Sequence, residues 1–147
     1  MPRAKIDLPD RWPFVAEIPV RITDLNYGRH VGNDTMLAYV QEARVQWLRS
    51  MGYASELLAE PVGLILIDLA VRLKAEVVYG DALRVHVAVS AWSPLGFELV
   101  YLIRKQDGSE AARATTGLAF FNYATRRLAP APEGFRAKAG ERQPAMP

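Results

Sequence analysis

Between residues 24 and 34 the chain runs Asp-Leu-Asn-Tyr-Gly-Arg-His-Val-Gly-Asn-Asp. One of only two histidines in 147 residues stands there, among aspartates, asparagines and glycines. These types suit attack on an acyl carbonyl. A carboxylate or imidazole activates water, and hydrogen-bond donors hold the oxygen that becomes negative. Asp24 is the preferred base, with Asn26 orienting the water or the carbonyl, provided that extended backbone carries both to one side. His30 suits a base, a proton shuttle or a donor to the oxyanion. Each also has a plain structural reading: Asp24 as a turn cap facing solvent, His30 as a tie between loop and helix. Asn26 itself is uncharged and accepts no proton.

The elements on either side must hold this run. From Phe14 to Thr23 the pattern alternates, with Ala16, Ile18, Val20 and Ile22 on one face, which predicts a half-buried strand. Pro19 marks it as an edge strand or a late start. After the run, Met36, Leu37, Val40, Ala43, Trp47, Leu48 and Met51 recur at spacings of three and four, the stripe of one amphipathic helix. Asn33 or Asp34 is its expected N-cap and Gly52 its stop. The helix start leaves unpaired N–H groups, and Gly32 lets a ligand approach them closely.

Everything further on reads as sheet: 62–79 is rich in Val, Ile and Leu, 82–92 alternates, and Asp107-Gly108 turns one strand into the next. His86 lies on the polar side of the alternating strand and reads as surface. From Thr125 the chain is rich in Pro, Ala and Arg. The expected organisation is an N-terminal extension (1–13), one domain (14–128) and a flexible tail (129–147).

Half the residues are hydrophobic, enough for a core, and 18 basic against 16 acidic residues leave +2, too even to point to nucleic acid. No cysteine is present, which removes disulfides, thiolate metal sites and a cysteine nucleophile, and fits the cytoplasm. Two histidines without ligand spacing predict no metal, and the longest apolar run, broken by Asp68, is too short to span a bilayer.

The loop, and the helix residues Leu37, Tyr39, Glu42, Ala43 and Arg44 in register behind it, resemble the hotdog thioesterases of the 4-hydroxybenzoyl-CoA thioesterase type. So do the Tyr79-Gly80-Asp81 turn and the closing segment, and the likeness runs from about Val15 to Ala137. It implies an α+β hotdog fold, an antiparallel sheet wrapped around one long central helix. It also implies hydrolysis of a fatty or aromatic acyl thioester, carried by coenzyme A or an acyl carrier protein, without a cofactor. The working unit would be a homodimer or a dimer of dimers, with the site between protomers.

The candidate residues are then Asp24, Asn26 and His30 for catalysis, and Tyr27, Gly32, Asn33 and Asp34 for substrate binding. Three departures from the family pattern stand out. Asn26 occupies the usual position of the catalytic carboxylate, Gly32 replaces an asparagine, and Gly28 and Arg29 replace a small residue and a glycine. The carboxylate is therefore relocated, or the chemistry weakened. Asp68 and Glu42 are the alternative acids: Asp68, in an apolar strand, calls for a partner such as Arg21 or His30, and Glu42 reads as part of a salt-bridged helix face. The rival readings are a hotdog hydratase or dehydratase, and a protein that holds acyl thioesters without turnover.

Overall fold

The computed structural model describes residues 2–141. Strand β1 (Phe14–Pro19) leads through a short 3-10 turn, Ile22–Asp24, to helix α1 (Asn33–Ser50). Strands β2 (Val62–Leu73), β3 (Ala82–Ser93), β4 (Gly96–Arg104), β5 (Glu110–Asn122) and β6 (Arg127–Leu128) follow, and then helix α2 (Phe135–Glu141). All pairings are antiparallel, in the order β1-β3-β4-β5-β2, with β6 on β5. The sheet closes over α1. Ala43, Trp47 and Leu48 share one core with Val85 and Val87 of β3, Leu99 and Ile103 of β4, and Leu118 and Phe120 of β5. This is the expected hotdog arrangement, and it follows from one helix having to satisfy a whole sheet face.

Three local expectations change. The strand stops at Pro19, because the next residues tighten into a 3-10 turn and leave Ile22 65% exposed, off the buried face. The N-cap of α1 is Gly32, with no side chain capping it; neither Asn33 nor Asp34 does so. Gly52 ends the helix as expected, at φ +97. Past residue 129, α2 packs into the core: Phe135 and Ala139 are buried, and Phe135 stacks with Trp47, Tyr53, Trp92, Phe97 and Phe120. The end of the expected tail, residues 142–147, lies outside the described residues.

The outer sheet face is covered too. Ile6, Leu8 and Trp12 of the N-terminal extension pack on Ala70, Ala88 and Val100, and the Arg113 guanidinium donates to the Ile6 carbonyl at 2.9 Å. His86 is thus no open surface residue: Trp12 lies over it, 5.7 Å between ring centroids. Burial, followed by the charges of Arg104 and Arg84, holds its pKa below the usual value. The opposite edge is bare beyond Leu64, whose N–H donates to the Glu56 carbonyl at 2.9 Å. Among the described strands β2 pairs with β5 alone, and Leu66, Ile67, Leu69 and Leu73 along it are exposed. A long apolar edge strand of this kind needs a cover. Among the described residues no helix is long and apolar enough to cross a membrane.

Candidate active site

The loop between β1 and α1 is built around Asn26. Its backbone N–H donates to the His30 carbonyl at 2.8 Å, the Arg29 N–H donates to the Asn26 carbonyl at 3.1 Å, and the Gly28 N–H donates to Asn26 Oδ1 at 2.8 Å. Asn and Asp side chains favour such local bonds, which a carboxylate here would also make. With Oδ1 engaged, the Nδ2 amide turns toward the start of α1 and lies 3.3 Å from where a Cβ on Gly32 would stand. Arg29 takes a left-handed φ of 61 to close the turn. The Val31 N–H donates to the Val77 carbonyl at 2.7 Å and ties the loop to the segment that leaves β2.

This tie creates a cleft. Asn26, His30, Gly32, Asn33 and Met36 line one wall and Leu73 to Val77 the other, around about 420 Å³. The start of α1 borders it at Gly32, Asn33 and Met36: the N–H groups of Asn33, Asp34 and Thr35 precede the first intrahelical bond, Met36 N–H to the Gly32 carbonyl at 3.0 Å, and among the described residues no side chain caps them. Such uncapped donors, with the helix dipole behind them, attract an oxygen carrying negative charge. His30 lies in the same cleft, folded back over its own loop. Nδ1 is 3.3 Å from the Val31 carbonyl, and Nε2 sits 2.9 Å from where a Cβ on Gly28 would be.

Asp24 stands apart. The 3-10 turn breaks the extended backbone that was to align it with Asn26, and Asp24 lines a different cleft, with Thr35, Ala38, Tyr39 and Glu42. Its carboxylate accepts the Tyr39 hydroxyl at 2.7 Å, the Arg21 N–H at 2.9 Å and the Arg21 guanidinium at 3.4 Å. Burial alone would raise its pKa. The Arg21 N–H, the Tyr39 hydroxyl and the Arg21 charge outweigh it, and the net shift is downward. A carboxyl depressed in the folded state stabilises it above the unfolded pKa, and that contribution is lost as pH falls through the folded value. The stability deficit of Asp24→Asn against wild type should therefore be largest at neutral pH and shrink below about pH 4, as urea titrations at each pH would record. A deficit that stays constant down to pH 2 would refute this.

The other candidates scatter. Tyr27 is fully exposed and absent from the cleft lining. Asp34 lines the groove beyond Gly32, with Leu37, Leu66 and Leu69. Glu42 accepts from Gln46 at 2.8 Å on the exposed face of α1 and, among the described residues, forms no salt bridge; the helix arginine, Arg44, turns inward instead. Asp68 sits at a bulge in β2, is exposed, and among the described residues accepts only the adjacent Leu69 N–H at 2.9 Å. It needed neither Arg21 nor His30, because the strand around it is an open edge. Among the described residues no three His, Cys, Asp or Glu side chains gather as a metal site. Sequence reasoning missed the far wall, where Glu76 lies, because only the long-range bond from Val31 to Val77 brings it there.

The family model of the thioesterase-like superfamily matches residues 20–139. A comparison with curated proteins finds no match. Solved structures share the fold. A hypothetical protein from Staphylococcus aureus in complex with CoA is 17% identical, with a TM-score of 0.82 over 97% of this chain and 92% of that one. A 1,4-dihydroxy-2-naphthoyl-CoA thioesterase from Synechocystis is 23% identical, at 0.80 over 87% and 96%. A thioesterase from Thermus thermophilus, complexed with coenzyme A and zinc, is 20% identical, at 0.81 over 92% and 98%.

Proposed function

Because the chain belongs to the thioesterase-like superfamily, we propose that the cleft at the start of α1 hydrolyses acyl-CoA thioesters, with a fatty or aromatic acyl group, in the cytoplasm. The observation that carries the reading is the pairing of uncapped helix N–H groups with the Asn26 amide, aimed from the loop at the same corner. A thioester carbonyl placed there meets donors from two directions. They strengthen their hold as its oxygen becomes negative, which lowers the barrier to attack. His30 orients the attacking water. Asp24 serves as a positioning residue: it fixes the turn before the loop to Tyr39 of α1, and so sets where Asn26 stands. The CoA ligands of the Staphylococcus and Thermus neighbours agree with coenzyme A as the carrier.

We assign the bare edge of β2 to a second copy of the chain. Two such edges pairing antiparallel would cover Leu66, Ile67, Leu69 and Leu73 and bring a partner beside the groove that adjoins Gly32.

Thiol release from a panel of acyl-CoAs, followed colorimetrically, tests the activity. Turnover of at least one fatty or aromatic member is expected, and light scattering should return about twice 16.4 kDa. No release from any member, with CoA still bound, would leave the holding-protein reading standing and sink this one.

A further inference from the structure

Hydrolysis at this cleft needs a proton acceptor. Asn26 accepts no proton, both oxygens of Asp24 are engaged, and His30, with Nδ1 on the Val31 carbonyl, is assigned above to orienting the water. We propose that Glu76, on the opposite wall, is the general base of the reaction. The inference rests on the hydrolase reading above and adds the residue that reading lacks.

Three observations place Glu76 in the role. Among the described residues it is the one acidic residue in the cleft lining, on the wall opposite Asn26 and His30. Its backbone is held on both sides: the Ala75 N–H donates to the Ala111 carbonyl at 3.1 Å before it, and the Val31 N–H to the Val77 carbonyl at 2.7 Å after it, while the Lys105 ammonium donates to its own carbonyl at 3.1 Å. Its carboxylate is free, while the cations beside it are committed elsewhere. Lys74 pairs with Glu110 at 3.1 Å and Lys105 with Asp81 at 3.0 Å. Among the described residues Glu76 makes no side-chain hydrogen bond or ion pair, so it can accept a water proton without first breaking a contact. Of the other acids, Asp68 lies in a cleft along β2 and Glu42 on the exposed helix face, while Asp34 lines the groove beyond Gly32 with its Oδ1 reaching back beside Gly32, which is why the test below includes it.

The step balances with water as the sole co-reactant. As the water oxygen bonds to the thioester carbon, its proton passes to the Glu76 carboxylate and the carbonyl π pair moves onto oxygen, held by the helix N–H groups and Asn26 Nδ2. When that pair returns, the C–S bond breaks. The sulfur leaves with the bonding electrons and takes the proton back from Glu76. The products are the free acid and the thiol, and Glu76 is again a carboxylate.

The test is Glu76→Gln, exchanged on an exposed side chain so that the fold is kept, with the pH profile of kcat/KM recorded beside wild type, His30→Gln, Asp34→Asn and Asp68→Asn. Wild type should lose activity on an acidic limb as its base becomes protonated. Glu76→Gln should lose about 100-fold in kcat, with KM nearly unchanged, and should lose that limb. Wild-type rates in Glu76→Gln would overturn the assignment, and so would a limb that disappears in His30→Gln, Asp34→Asn or Asp68→Asn instead. Neither result touches the hydrolase reading, which falls only if wild type releases no thiol from any acyl-CoA.

Discussion

Gly32→Val should abolish turnover, with a loss of about a thousand-fold or more in kcat/KM, while the protein stays folded. Gly32 caps α1 at φ −76 and ψ 166, a conformation open to any residue, so a side chain there strains no backbone. What it meets is the site. A Cβ would stand 2.7 Å from Asp34 Oδ1, the far end of a side chain that can swing aside, and 3.3 Å from Asn26 Nδ2. The two further methyls of valine then fill the space between the Asn26 amide and the helix N–H groups, where the oxyanion is to form. Removing one such donor from a reaction of this kind costs about 10²–10³ in rate, and valine obstructs several at once. The fold should notice little, since glycine is only a modest N-cap and its replacement costs less than about 1 kcal/mol. Gly32→Ala should fall between the two proteins. Steady-state thiol release and a thermal melt on the same samples check both halves, and activity within tenfold of wild type would move the oxyanion site elsewhere.

How far the sequence foretold this site depends on the range of the contacts that build it. The strand and the long helix were legible because their apolar spacing is local and their core partners only have to be apolar. The loop was legible as a polar junction, with Gly32 at the helix start. Its alignment was not: a three-residue 3-10 turn, Ile22–Asp24, rotates Asp24 toward Tyr39 and away from Asn26, and no periodicity announces such a turn. Asp68 misled in the opposite way. An apolar run implied a buried strand, but β2 is an edge whose apolar side chains are exposed, so its carboxylate meets solvent instead of a partner. Helix α2 hid in a Pro- and Ala-rich segment too short for a pattern, where Phe135 was the one core-forming clue. Glu76 was out of reach because its place depends on a hydrogen bond spanning residues 31 and 77.

Arg44→Met should cost about 3 kcal/mol of stability. The sequence suggested a salt-bridged helix face here, but Arg44 is only 5% exposed and lies under the sheet. Nε donates to Glu56 Oε2 at 3.1 Å and Nη1 to the Tyr101 hydroxyl at 3.2 Å, which in turn shares a hydrogen with Thr116 Oγ1 at 2.7 Å. The arrangement joins α1, the loop before β2, β4 and β5 through one guanidinium. Burial works against that charge, but Tyr101 and Glu56 more than offset it, and the guanidinium pKa is raised. Methionine fills similar space and takes away every donor, leaving the Glu56 carboxylate and the buried tyrosine hydroxyl short of a partner. Breaking a buried pair from one side costs about 3–5 kcal/mol, and the low end applies because the Glu56 side chain keeps 25% exposure. In a domain of this size that lowers Tm by about 10 °C. The double variant Arg44→Met/Glu56→Gln should recover much of the loss, because it removes the orphaned charge together with its partner. Thermal melts of the wild type, both single variants and the double variant give the coupling directly. A single variant within 2 °C of wild type, by the same measure, would mean that the network contributes packing alone and that its charges are dispensable.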